Sequence, residues 1–157
     1  MLNYLIKIEY EGTNFVGWQS QKNGKSIQDE IEKVLKKILK TKIRITGAGR
    51  TDKGVHAFSQ YASFKVKNNI KNKKVFLASA NYFLKNKLIS ILDLRKKSNN
   101  FHARHSAKFR TYEYLISNRQ GSLSINKNRA WLVKKNKFKF IKKGGKIISR
   151  NSQFFNF

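Results

Sequence analysis

Eight acidic side chains stand against 35 lysines and arginines in this 157-residue protein, so every carboxylate that could serve as a nucleophile or base can be inspected individually. Asp29, Glu30 and Glu32 fall in the first turns of an expected helix, where negative charge complements the helix dipole. Glu9, Asp93 and Glu113 fall in expected strands with basic neighbours, and Glu11 at an expected turn. Asp52 is different. It sits in TGAGRTDKGVHAF, residues 46–58, where three glycines surround Arg50-Thr51-Asp52. A loop between two strands is where a rigid scaffold presents side chains outward. Arg50 precedes Asp52 by two residues, so an extended segment places both side chains on one side. There a guanidinium could keep the carboxylate ionised and positioned, as a nucleophile or electrostatic stabiliser requires. The competing reading is a turn, because Gly-Arg-Thr-Asp-Lys-Gly is turn-rich and Asp commonly bonds its own backbone there. On spacing alone the turn is the better supported of the two.

Other residues offer weaker chemistry. His102 and His105 are three apart, but no acid or cysteine surrounds them to complete a metal site. His56 adjoins the loop as a proton donor or, more simply, a phosphate-contacting surface residue. Tyr112 and Tyr114, on an expected strand beside Arg104 and Arg110, could stack on bases. The alternative for these tyrosines is that one strand face packs into the core, and it is favoured for Tyr114. The glycines of Gly12 to Gly17 (GTNFVG) lack the lysine and the strand–helix context of a nucleotide-phosphate loop.

The elements that must position these residues are legible in the apolar pattern. Tyr4, Ile6, Ile8 and Tyr10 recur at every second position, predicting a half-buried strand that ends at Glu11-Gly12. Ser26 is a good N-cap, and Ile27, Ile31, Val34, Leu35 and Ile38 continue at helical spacing to about Lys40. A short strand over Ile43 to Thr46 runs into the glycine loop. Beyond it, Phe58, Gln60, Ala62, Phe64 and Val66 alternate with Ser59, Tyr61, Ser63 and Lys65. A helix from about Lys71 to Leu84, carrying Val75, Phe76 and Ala80, and a strand over Lys87 to Leu94 complete the order β-α-β-β-α-β. This is the α+β, ferredoxin-like arrangement, an antiparallel sheet with both helices on one face. Residues 1–100 are expected to form this domain. Residues 101–157 are expected to open a second, similar one, with strands over Thr111 to Ser117 and Ala130 to Val133 and a helix over Phe138 to Ser149.

Composition narrows the partner. The formal charge is +27, apolar residues make up 39% and aromatic residues 13%. That is enough for a core, and a protein so positive suits a polyanion whose phosphates it neutralises and whose bases it stacks. A lysine-rich coding composition raises the same charge without any function. There is no cysteine, so disulfides and thiolate metal sites are excluded. MLNYLIKIEYEG alternates rather than forming an apolar run, which argues against a signal peptide or membrane span and leaves a cytoplasmic protein as the expectation.

Several separated motifs in one order resemble the tRNA pseudouridine synthase A family. They are Glu9-Tyr10-Glu11-Gly12 with Phe15-Val16-Gly17-Trp18-Gln19, Ser26-Ile27-Gln28, and Gly49-Arg50-Thr51-Asp52-Lys53-Gly54-Val55-His56-Ala57. Asn81, Phe101-His102-Ala103-Arg104, Ser106-Ala107 and Arg110-Thr111-Tyr112-Glu113-Tyr114 follow. The resemblance implies a pseudouridine synthase fold and isomerisation of uridine in the tRNA anticodon stem-loop. It implies Asp52 as nucleophile, Arg50 orienting it and Tyr112 stacking on the target base. Gln19 and His56 are implied in substrate positioning. Charge and position add Arg104 and Arg110 as phosphate contacts. No metal or other cofactor is implied; the implied partners are the anticodon arm of tRNA and, where the second domain is completed, a second copy in a homodimer.

The sequence departs from the family pattern at Asn81-Tyr82-Phe83-Leu84-Lys85 and at Ser152 to Phe157. It also ends where the family continues, so the expectation is a protein truncated at its C-terminal end relative to the family. The alternative function is a basic RNA-binding protein without chemistry.

Overall fold

The computed structural model describes residues 1–133. Contacts divide the protein into two units, Met1–Lys108 and Phe109–Phe157. In the first, strands β1 (Leu2–Tyr10), β2 (Ile45–Gly47), β3 (Ala57–Val66) and β4 (Ile89–Lys97) form one sheet in the order β2-β3-β1-β4, and all neighbours are antiparallel. Helices α1 (Ile27–Leu39) and α2 (Lys73–Leu84) connect strands that have another strand between them. The expected split β-α-β arrangement is therefore present.

Alternation builds the core. Tyr4, Ile6, Ile8 and Tyr10 of β1, Ala62, Phe64 and Val66 of β3, and Ile89, Ile91 and Leu94 of β4 pack against Ile27, Ile31 and Leu35 of α1 and Phe76, Ala80 and Leu84 of α2. Each such buried Ile or Leu contributes roughly 1.5–3 kcal/mol by leaving water. Ser26 caps α1 by accepting from the Asp29 N–H at 3.0 Å, and Lys40 ends the helix in a left-handed conformation.

Several boundaries differ from the pattern. β2 starts at Ile45; Ile43 is buried but lies outside the ladder. Asn72 accepts from the Val75 N–H at 3.0 Å, so α2 starts at Lys73, and Val75 faces water. Lys85–Lys87 tighten into a 3₁₀ turn that delays β4 to Ile89.

The difference at Phe58 is larger. Ile8 pairs with Gln60 but Tyr10 with Ala57, so Phe58 and Ser59 together stand opposite Glu9 in a β-bulge. The extra residue reverses the alternation. Ala57 packs on the core, and Phe58 is 78% exposed.

In the second unit, β5 (Leu115–Ser117) pairs in parallel with β6 (Ala130–Leu132). The strand expected from Thr111 begins only at Leu115, so Glu113 is not in a strand, and Tyr112 and Tyr114 lie before the ladder. Tyr114 is 85% exposed rather than packed in a core. The helix expected over Phe138 to Ser149 lies outside the described residues.

Candidate active site

The glycine-hinged loop leaves the sheet between β2 and β3 and is fastened from three directions. From β3, the Tyr61 carbonyl accepts from the Ala48 N–H at 2.7 Å, and Gln60 Nε2 donates to the Gly49 carbonyl at 3.0 Å. From β1, the Tyr10 hydroxyl meets Thr51 Oγ1 at 2.8 Å. From residues 12–18, Trp18 N–H donates to the Thr51 carbonyl at 3.0 Å, and Phe15 O accepts from Gly54 N–H at 3.3 Å. The loop closes on itself where Val55 N–H donates to the Asp52 carbonyl at 3.2 Å.

Two glycines permit this layering. Gly17 has φ +113°, and a Cβ there would lie 2.5 Å from the Thr51 carbonyl oxygen. A Cβ on Gly12 would lie 2.0 Å from the Val55 carbonyl oxygen. No side chain fits either gap, so the glycines are needed for close backbone approach rather than for looseness.

Thr51 is thus the bolt of the loop, and its neighbours Arg50 and Asp52 face solvent. Among the described residues no ion pair joins Arg50 to Asp52 or engages Asp52 at all. The expected Arg50–Asp52 pairing is therefore absent from this conformation: anchoring the intervening threonine turns the two side chains outward without bringing their charges together. The arrangement offers an outward carboxylate on a fixed backbone with a guanidinium two residues away. An exposed carboxylate on a fixed backbone has the chemistry of a nucleophile or an electrostatic stabiliser.

Burial pushes the Tyr10 phenol above its ordinary pKa, and hydrogen bonds with Thr51 and Gln60 oppose this only in part. Tyr10 therefore remains a neutral O–H that positions the loop. Local spacing does not single out Tyr10, Trp18 or Gln60 for this role; the one signal is a glutamine on the apolar face of β3.

The other expected site residues divide. Gln19 is exposed and directly follows Trp18, at the edge of the fastened loop. His56 is half-buried, and its Nδ1 accepts from the Gly12 N–H at 3.1 Å. Glu11 Oε1 lies 3.5 Å from the same nitrogen. Through the Gly12 bond His56 joins the Asp52 loop to residues 12–18. Arg104 is exposed in the turns after β4. The His102 and His105 rings lie with centroids 4.3 Å apart and planes tilted by 37°. Arg110 and Tyr112 belong to the second unit, where Tyr112 is half-exposed.

Residues 6–106 match the family model for tRNA pseudouridine synthase. The protein belongs to this family. Curated synthases of the family agree over longer stretches. The tRNA pseudouridine synthase A of Pelagibacter ubique is 49% identical over 158 aligned positions, spanning 100% of the present sequence and 64% of that protein. That of Ehrlichia ruminantium (strain Gardel) is 46% identical over 84% of the present sequence and 54% of its own length. That of Caldicellulosiruptor saccharolyticus is 49% identical over 75% of the present sequence and 48% of its own length. The 157 residues thus span about half to two thirds of the synthases they match. The family match takes in β1 from Ile6 onward, both helices and the other three strands of the sheet, and with them the Arg50-Thr51-Asp52 loop of this synthase family member. Among the described residues no helix is long and apolar enough to cross a membrane.

Proposed function

We propose that the protein isomerises uridine to pseudouridine in the anticodon stem-loop of tRNA, with Asp52 as the nucleophile. The observation that carries this reading is the fastening of Thr51 between Tyr10 and the Trp18 backbone at 2.8 and 3.0 Å, which holds Asp52 outward on a loop that cannot sag. The target base must leave its stack to reach such a loop, at a cost of about a few kcal/mol. Binding to the cationic surface offsets that cost. Asp52 attacks the ribose or the base of the extruded nucleotide; the glycosidic C–N bond breaks, the uracil turns, and its C5 bonds to the anomeric carbon as the bond to Asp52 is released, C5 losing its proton and the freed ring nitrogen gaining one.

Arg50 holds the extruded nucleotide beside Asp52 and Tyr112 stacks on its base. Gln19 and His56 edge the loop, and Arg104 and Arg110 meet phosphates. With the second domain completed, two copies work as a homodimer in the cytoplasm, and no step calls on a metal or other cofactor.

The test is Asp52→Asn, assayed for pseudouridine in transcribed tRNA and for tRNA binding. The expected result is loss of product with binding retained. Wild type that binds tRNA and forms no pseudouridine makes this an RNA-binding protein without chemistry, and product formation by Asp52→Asn removes the aspartate from the mechanism.

A further inference from the structure

On the side of β3 that packs against the helices, Gln60 stands in line with Ala62, Phe64 and Val66, and it is only 8% exposed. Burying a carboxamide costs free energy unless its donor and acceptor both find partners. Here they do: Gln60 Nε2 donates to the Gly49 carbonyl at 3.0 Å, and Oε1 accepts from the Tyr61 N–H at 3.1 Å. The same carboxamide reaches the Tyr10 hydroxyl, the group that lies 2.8 Å from Thr51 Oγ1.

The place of these bonds in the sheet gives them their use. The register of β2 on β3 runs Ile45↔Phe64, Thr46↔Ser63, Gly47↔Ala62. One step further the Ala48 N–H donates to the Tyr61 carbonyl at 2.7 Å, and there the glycine loop leaves β3. The Gln60 carboxamide spans the opening, accepting from the strand and donating to the departing segment as a peptide group of a longer β2 would. The β-bulge brings it there: Gln60, opposite Ile8, is the first residue of β3 back in register after Phe58 and Ser59.

The Gly49 carbonyl belongs to the peptide plane that also contains the Arg50 nitrogen. Holding that carbonyl fixes the plane from which Arg50 starts, while Tyr10 and the Trp18 backbone hold Thr51. Asp52 thus follows a segment pinned at both ends.

We infer that Gln60 is a positioning residue for the Asp52 loop: its carboxamide sets where the loop leaves the sheet and so, through the Gly49 backbone, how Arg50 and Asp52 meet the substrate. This rests on the proposed isomerisation for its activity readout. The position demands a donor and an acceptor on one neutral group. Leucine supplies neither. An ionised glutamate keeps the shape and lacks the donor, and a protonated glutamate regains it.

The experiment assays Gln60→Leu and Gln60→Glu in the full 157-residue chain for the kinetics of pseudouridine formation and for amide hydrogen exchange by mass spectrometry, with melts to establish folding. Gln60→Leu is expected to lower kcat roughly 10- to 100-fold, as a misplacement on the order of 1 Å does, with KM for tRNA within about twofold of wild type. Relative to wild type at each pH, Gln60→Glu should match that deficit at about pH 8 and recover towards about pH 6, because burial raises a carboxyl pKa and the protonated acid donates again. Exchange should quicken over residues 46–55 in both variants, with the same recovery in Gln60→Glu, and keep the wild-type rate in α1. Wild-type kcat or wild-type loop exchange in folded Gln60→Leu overturns the inference. So does a raised KM with unchanged kcat, which makes Gln60 a substrate contact, or faster exchange throughout β1 and α1, which makes it a general stabiliser. Where Gln60→Leu does not fold, Gln60→Glu decides, and a deficit equal at both pH values overturns the inference. The exchange readout needs no catalysis: pH-dependent loosening of residues 46–55 in Gln60→Glu with no pseudouridine formed by wild type leaves the positioning role standing and removes the isomerase reading. Product formed by wild type with unchanged loop exchange in both variants does the reverse.

Discussion

The hydroxyl of Tyr10, on an inner strand of the sheet, lies 2.8 Å from that of Thr51, at the centre of the Arg50-Thr51-Asp52 loop. A strand hydrogen-bonded along both edges cannot shift without breaking two ladders, so this contact transfers the rigidity of the sheet to the loop.

Tyr10→Phe removes that contact and leaves the ring packed against Trp18, 6.1 Å away between centroids. The loss of one buried hydrogen bond costs about 1 kcal/mol, seen as a fall of roughly 2–4 °C in the melting temperature. Pseudouridine formation should fall by more than the stability loss explains, because the loop also loses its anchor; single-turnover assays well below the melting temperature separate the two effects.

Gly17→Ala places a methyl 2.5 Å from the Thr51 carbonyl at a φ of +113°. Overlap and backbone strain together are expected to cost about 2 kcal/mol or more. Gly54→Ala provides the comparison: its φ is +80°, but nothing lies within 4 Å of the added Cβ. Only the strain of about 1 kcal/mol remains there. Urea denaturation of both variants should rank Gly17→Ala well below Gly54→Ala.

Ser26→Ala deletes the cap of α1. Ser26 accepts from the Asp29 N–H at 3.0 Å, donates to Asp29 Oδ2 at 2.6 Å and is fully buried. The expected loss is about 1–2 kcal/mol. Ser26→Asp or Ser26→Thr recovering none of it in thermal melts counts against a capping role.

Acid stability should carry the mark of Asp93. Hydrogen bonds from Lys73 and Arg95 lower its carboxyl from 3.8 to about 2. A carboxyl depressed on folding stabilises the protein above its unfolded value. That contribution is complete above about pH 4 and disappears as the pH falls towards 2. Both partners are exposed, so after screening it amounts to on the order of 1 kcal/mol. Denaturant midpoints at pH 6 and pH 2.5 should therefore converge between wild type and Asp93→Asn at the lower pH, with wild type the more stable at the higher.

Alternation in Tyr4-Ile6-Ile8-Tyr10, helical spacing from Ile27 to Ile38 and the Ser26 cap are local properties, so the βαββαβ order and the helix-facing core are legible in the sequence. Asp52 also stands out locally, because the pattern places the other acids at a helix start, in strands or at a turn, although Glu113 lies outside any strand. The departures share one kind of cause. Alternation alone puts Phe58 on the core face, because a bulge is a mismatch between two strands and neither β1 nor β3 by itself records it. An extended segment would let Arg50 and Asp52 pair, but Thr51 is drawn down by Tyr10, forty-one residues earlier. Thr111 to Tyr114 have strand character and no partner strand, and propensity does not create one.

What the sequence determined by itself was the order of the elements, the polarity of their faces and the type of residue in the loop, all set by interactions among near neighbours. Only tertiary structure decided which way Phe58 points and how Thr51, Gly12 and Gly17 fix the height of Asp52. Those outcomes depend on register and on backbone approaches within a few ångströms between segments far apart in the sequence.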